Sequence, residues 1–175
     1  MYNYLLYFLI FSFLGWCVEV IFYFLKSARF VNRGFARGPI CPIYGVGISL
    51  SYLLLGSVDS FLLVALLSMA IATATELAAG LIFDKLFGVR LWDYSAEVGN
   101  IGGYVCPRFS LIWGVASAAV IRLIPLLSPF IELLQTPRLR AVVVILFVAA
   151  LVDIKSQLDK IAKGKYHRKN IINRH

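Results

Sequence analysis

The sequence predicts an all-α fold, a polytopic membrane helix bundle of about five transmembrane helices. Three observations predict it. Of the 175 residues, 61% are hydrophobic, and the mean hydropathy is +0.84; about 45–50% apolar residues is usual in soluble domains. The apolar residues run continuously and do not alternate, which argues against a porin-type barrel. Charged residues make up only 15%, and the net charge of +8 is unevenly placed along the chain. The expected division is a single transmembrane domain over 1–160 and a basic cytoplasmic tail over 161–175. The N-terminal run has no basic flank and no small-residue cleavage site, so it reads as a span rather than a cleaved signal peptide.

About 20 apolar residues in a helix cross a bilayer core of about 30 Å. The first span is expected from about Tyr2 to Leu25. The second, about Ile40 to Leu55, is short unless the polar segment before it also dips into the membrane. The third runs from about Ser60 to Phe83. The fourth runs from about Ser110 to Leu127, with apolar character continuing to Leu134 beyond Pro125 and Pro129. The fifth runs from about Ala141 to Leu158.

Lysine and arginine prefer short cytoplasmic loops. The first loop carries Lys26, Arg29, Arg33 and Arg37, and the third carries Lys85, Arg90 and Arg108. The second, around Gly56 to Asp59, carries none, and the tail after Asp153 is rich in both types. An outer N-terminus and a cytoplasmic C-terminus satisfy these four. Arg122, Arg138 and Arg140 dissent; Arg138 and Arg140 are expected to snorkel on the outer side.

Two polar segments echo each other. Residues 32–47 read NRGFARGPICPIYGVG, and residues 100–115 read NIGGYVCPRFSLIWGV. Each follows a span that carries one glutamate in its inner half, Glu19 or Glu76. Each then passes through Cys-Pro into the next span. The pattern predicts a duplicated helical hairpin of the parallel-repeat kind, with half-buried cytoplasmic loops. Shared loop chemistry is the plainer alternative.

A charge at mid-membrane costs about 2.5–3.5 kcal/mol on insertion scales, so such residues face the interior and often work there. Glu19 and Glu76 either pair with loop arginines and lock the bundle, or line a polar cavity as proton carriers or ligand anchors. In the third loop Asp93, Tyr94, Ser95 and Asn100 add donors and acceptors. Irregular backbone at membrane depth persists only where protein or a water-filled cavity satisfies it. The two segments are therefore expected to act as lids over one cytoplasm-facing pocket. Arg33, Arg37 and Arg108 either bind an anionic group there or contact lipid phosphates.

The remaining signals are mostly structural. The small residues of span three suit close helix packing. Thr73 and Thr75 are expected to bond back to their own helix. Cys41 and Cys106 precede prolines at helix starts, where proline is welcome. Three cysteines without a C-x-x-C spacing indicate neither a disulfide framework nor a zinc site, and no cofactor is expected. The tail is expected to lie on anionic lipid rather than on nucleic acid. No Gly-x-x-x-x-Gly-Lys-Ser/Thr loop is present, so the chain cannot be its own P-loop ATPase.

The segments FLGWCVEV, FVNRGFARGPICPIYGVG, LWDYSAEVGNIGGYVC and RFSLIWG resemble a family of small bacterial membrane proteins called putative ABC-transporter type IV permeases. The family pattern falls on Glu19, Asn32, Arg33, Tyr44, Glu76, Asp93, Tyr94, Ser95 and Asn100, which with Arg108 make the candidate pocket or substrate-binding set. The resemblance implies a multi-pass protein of the bacterial inner (plasma) membrane and a permease component of a transport system. Five spans are few for a transporter, so a separate ATPase subunit or a homodimer is implied. The alternative is a membrane-embedded enzyme acting on a lipid or an anionic, phosphate-bearing substrate. Glu19 or Glu76 would then work with Asp93 as acid and base, and Arg33 and Arg108 would stabilise charge. A third reading is a non-catalytic sensor or assembly factor that uses the tail.

Overall fold

A computed structural model describes residues 2–32 and 34–163. Arg33 and most of the basic tail, residues 164–175, lie outside the described residues. The order is α1 (Tyr2–Ser27), α2 (Pro42–Leu55), α3 (Phe61–Phe87), α4 (Pro107–Leu123), a 3-10 turn (Ile124–Leu127), α5 (Ser128–Leu133) and α6 (Pro137–Ala162). There is no strand among the described residues. Four units are long and apolar enough to cross a bilayer: α1, α3, the α4–α5 unit over Pro107–Leu133, and α6. The protein is a polytopic membrane helix bundle of about five helices, as the sequence predicts.

Local chemistry sets the helix ends. Pro42, Pro107 and Pro137 open α2, α4 and α6, where a missing N–H costs nothing. The Ser60 hydroxyl accepts from Leu63 N–H at the start of α3. Gly88 ends α3 at φ +64°, and its N–H and that of Val89 close on the last carbonyls, to Asp84 O and Phe83 O. Only glycine takes that conformation without strain. Pro125 and Pro129 cannot donate to an α-helical ladder. The fourth crossing therefore tightens into the 3-10 turn and resumes as α5.

The second helix is the short one. Its 14 residues rise about 21 Å at ~1.5 Å each, less than a bilayer core. The chain before it explains the deficit. Cys41 N–H donates to Ser12 O at 2.8 Å, near the middle of α1. After leaving α1 at Ser27, the chain therefore doubles back along that helix before α2 begins. Trp16 Nε1 donates to Asn32 Oδ1 at 2.7 Å, Gly34 N–H donates to the same oxygen at 3.0 Å, and Asn32 Nδ2 donates to Arg37 O at 2.9 Å. Gly38 N–H donates to Asp153 Oδ2 of α6 at 2.8 Å. Protein groups thus satisfy several backbone groups of this segment, Gly34, Gly38 and Cys41 N–H and Arg37 O among them, as irregular chain at membrane depth requires.

Helix α1 packs chiefly on α2, and α3 on α4, with α2 against α3 joining the hairpins. Two apolar clusters fill the bundle. One holds Leu6, Tyr7, Phe11, Ile124, Ile131 and Val143; the other holds Leu55, Val64, Ala65, Ala118 and Ile121. Lipid tails are as apolar as leucine, so close packing rather than hydrophobic burial holds helices together here.

The two hairpins repeat one another's contacts. A Cβ on Gly45 would collide with Phe8 O and Ser12 Oγ of α1; one on Gly114 would collide with Ala65 O and Met69 Cβ of α3. Phe8 and Ala65 both lie 11 positions before the span's glutamate, and Ser12 and Met69 both lie 7 before it. The crossings are therefore equivalent. Gly45 is 3 positions past Pro42, and Gly114 is 7 past Pro107. Helix α4 thus carries one extra turn before its crossing, and the dipping segment occupies that depth in the first hairpin.

Candidate functional site at the bundle centre

The residue just before each crossing glycine is aromatic, and it turns to the glutamate of its own hairpin. Tyr44 Oη donates to Glu19 Oε1 at 2.8 Å. Trp113 Nε1 donates to Glu76 Oε1 at 3.1 Å. The Tyr44 and Trp113 rings then meet edge to face, with centroids 5.3 Å apart and an interplanar angle of 87°. Two acid–aromatic pairs are therefore set back to back, one from each hairpin.

A third ring comes from the loop over 88–106. Tyr94 Oη donates to Glu76 Oε1 at 3.3 Å, and its ring stacks on Phe109 with centroids 4.7 Å apart. Burial pushes the Tyr94 hydroxyl well above the ordinary tyrosine range, and the neighbouring Glu76 carboxyl adds to the rise. Glu76 itself is 8% exposed. Its Oε1 has two donors, whereas among the described residues its Oε2 is buried with no hydrogen-bond partner. Among the described residues, no lysine or arginine pairs with it. An unpartnered buried acceptor costs about 1–3 kcal/mol. The carboxyl therefore keeps one open position for a donor, in a surrounding of aromatic rings.

Glu19, Tyr44, Glu76 and Tyr94 are thus brought together. Asp93, Ser95 and Asn100 are not; they frame the loop that delivers Tyr94. Asp93 Oδ1 accepts from Ser95 N–H at 2.9 Å and from Ser95 Oγ at 2.5 Å, and it faces Arg90 at 3.7 Å. Asn100 Nδ2 donates to Ser95 O and Glu97 O, and Asn100 Oδ1 accepts from Gly103 N–H. Tyr94 N–H donates to Gly103 O at 2.8 Å. Gly103, at φ +75°, has no room for a Cβ beside Asp93 and Ser95. Trp92 Nε1 donates to Tyr104 O at 2.7 Å. The polar density of this loop is therefore a rigid frame for one inward tyrosine.

Asn32 likewise organises the first loop rather than reaching the centre. Arg108 is exposed and pairs with Glu97 at 3.3 Å. Arg33 lies outside the described residues. Thr73 bonds back to Met69 O, as the sequence predicts, but its hydroxyl also lies 2.8 Å from Ser110 Oγ of α4. Thr75 bonds only back, to Ile71 O. Among the described residues, no group of three or more His, Cys, Asp or Glu side chains could hold a metal ion.

Two residues escape the sequence reading of the site. Trp113 was legible as the aromatic before glycine in LIWG, matching Tyr44 in PIYG. Asp153 was legible as an acidic residue inside an apolar run. It ties α6 to the first loop and also accepts from Gln157 Nε2 at 3.3 Å.

The family model described as Putative ABC-transporter type IV matches residues 6–157. Comparison with curated proteins returns no match, and comparison with solved structures returns none.

Proposed function

The chain belongs to the Putative ABC-transporter type IV family, and we propose that it is the permease subunit of a transport system, with its substrate path at the bundle centre. The observation that carries this reading is the pair of acid–aromatic contacts meeting there. Carboxyls are retained inside membranes where substrates, ions or protons pass. A lock between helices would pair each of them with a cation, and Glu76 has none among the described residues.

The proposed setting is the bacterial inner membrane, with the N-terminus outside and the C-terminus cytoplasmic. Lys26, Arg29 and Arg37 in the first loop, and Lys85, Arg90 and Arg108 around the third, then lie inside, as the charge rule requires. Two of the three dissenting arginines have structural work at the opposite end. Arg122 Nη2 donates to Val58 O at 2.7 Å and to Asp59 O at 2.5 Å, closing the α2–α3 turn. The Arg140 guanidinium sits over the Tyr2 ring, 5.3 Å from its centroid. In this proposed orientation the glutamates would lie on the cytoplasmic side of mid-membrane, under the two loops, so the proposed pocket would face the cytoplasm.

The chain has no nucleotide-binding loop, so a separate ATPase subunit supplies the energy. The basic end of α6, with Lys155, Lys160 and Lys163, meets anionic lipid. Reading the chain as an enzyme requires Asp93 beside the glutamates and Arg33 and Arg108 available for charge, and Arg33 lies outside the described residues. Asp93 is engaged by Ser95 and Arg90, and Arg108 by Glu97, which supports the transport reading over this alternative. A native mass spectrum of the protein, extracted gently from its own membrane, tests the reading. A stable complex with a nucleotide-binding subunit is the expected result. A lone chain, holding a phosphorylated lipid and showing no stimulated ATP hydrolysis, would overturn it.

A further inference from the structure

We infer that the path at the bundle centre takes a protonated amine, whose ammonium is received by Glu76 Oε2 among the rings of Trp113 and Tyr94. This deepens the transport reading and rests on it. The argument starts from the donors and acceptors present. At the centre, the Tyr44 hydroxyl, the Tyr94 hydroxyl and the Trp113 indole N–H all point at carboxyl oxygens. The group that lacks a partner is an acceptor, Glu76 Oε2.

Among the described residues, the two arginines around the loop over 88–106 are already engaged by acids. Arg90 pairs with Asp84 and Asp93, and Arg108 pairs with Glu97. An anionic ligand would therefore meet a carboxyl oxygen with no donor of its own to offer. An ammonium brings the N–H that Oε2 lacks. The Trp113 and Tyr94 rings meet the carboxyl through their N–H and O–H edges, and a ring whose face turned to the incoming ammonium would attract it, most strongly when it is desolvated. A carboxyl with nearby tryptophan and tyrosine rings is therefore suited to a cation of modest size with at least one N–H.

Access follows from the same geometry. Glu76 Oε2 is sealed from solvent, so a ligand reaches it only when a neighbour yields. Trp113 and Tyr44 are fixed on helices at crossings that leave no room for a Cβ on the adjacent glycine. The loop that carries Tyr94 is itself firmly bonded, but the 3.3 Å contact of its hydroxyl is the longer of the two hydrogen bonds to Glu76. The Tyr94 hydroxyl is the group the ammonium displaces.

The test uses the full chain in zwitterionic phosphatidylcholine nanodiscs, which offer no net lipid charge to attract the probe. The probes are phenethylammonium, the neutral 2-phenylethanol and the anionic phenyl phosphate, with binding followed by calorimetry. Saturable binding of one phenethylammonium per chain is expected, at least tenfold tighter than 2-phenylethanol. Glu76→Gln should lower that affinity at least tenfold and Trp113→Phe about threefold, while Glu97→Gln leaves it unchanged. Equal binding of the amine and the alcohol, preference for phenyl phosphate, or full affinity in Glu76→Gln would overturn the inference. Should Glu76→Gln fail to fold, the amine–alcohol comparison on the unaltered chain decides by itself. The same preparation, run by native mass spectrometry, separates the two claims. An ATPase complex that ignores the amine sinks only the cation inference. Amine binding to a chain with no ATPase partner sinks only the transport reading.

Discussion

Glu76 and the glycines at the crossings show how much single residues decide. Gly45 and Gly114 allow backbone contact, and that contact brings Tyr44 and Trp113 within reach of the glutamates. Gly45→Ala and Gly114→Ala should each destabilise the protein by about 1–3 kcal/mol, the usual cost of overpacking. Gly47 lies in the same helix as Gly45, with nothing within 4 Å of an added Cβ. Gly47→Ala should leave thermal unfolding in detergent within about 0.5 kcal/mol of the unaltered protein. Tyr94 gives a pH prediction. Its hydroxyl holds its proton more tightly when folded than when unfolded. The stability it contributes is therefore complete below the unfolded pKa of about 10 and declines as pH rises above that value. The unfolding temperature should fall above about pH 10, and more steeply in the unaltered protein than in Tyr94→Phe.

At the scale of elements, the loops proved to be as structured as the helices. The sequence showed that both polar segments were unusual and that the second helix was too short to span alone. Periodicity could not show that the first segment runs back to Ser12, because that depends on a backbone bond between residues 29 positions apart. The residues from Asp93 to Asn100 stood out in the sequence as candidates for a pocket, and the third loop that holds them is dense in polar contacts. It could not separate the residue that points inward, Tyr94, from those that hold its frame. That distinction depends on Gly102 and Gly103 at positive φ, which turn the chain so that Gly103 O meets Tyr94 N–H. Asp153 is the clearest gap, since its partner is a backbone N–H more than 100 positions earlier. Asp153→Ala removes a charged acceptor, at a cost of about 1.5–3 kcal/mol. Amide hydrogen exchange over 34–41 should then speed up tenfold or more, with α3 and α4 unchanged.

At the scale of the molecule, four long apolar helices and a shorter one make the bundle; under the proposed topology of five crossings the termini lie on opposite faces, and the charge pattern proposes which is which. The bundle and its spans were legible because apolar runs of about 20 residues have one stable solution in lipid. The hairpin repeat was only half legible. Equivalent crossings sit at different distances from Cys-Pro, so aligning the Cys-Pro pairs misplaces the glycines by one turn. Orientation can be checked in a cysteine-free background. Ser57→Cys in the α2–α3 turn should react with an impermeant maleimide on intact cells. Val98→Cys, at a position 93% exposed in the third loop, should react only after permeabilisation; the reverse pattern would invert the topology.

The central claim is that Glu76 sits at the bundle centre for a task, at some cost to stability. Thermal unfolding of Glu76→Gln, beside the unaltered protein in the same nanodiscs, tests this most directly. The amide oxygen can still accept from Trp113 and Tyr94, and the substitution removes a buried carboxyl that no cation among the described residues balances. The account predicts an unfolding temperature equal to or above that of the unaltered protein. A fall corresponding to more than about 2 kcal/mol, within the range for breaking a buried polar network, would contradict it and make Glu76 a structural lock.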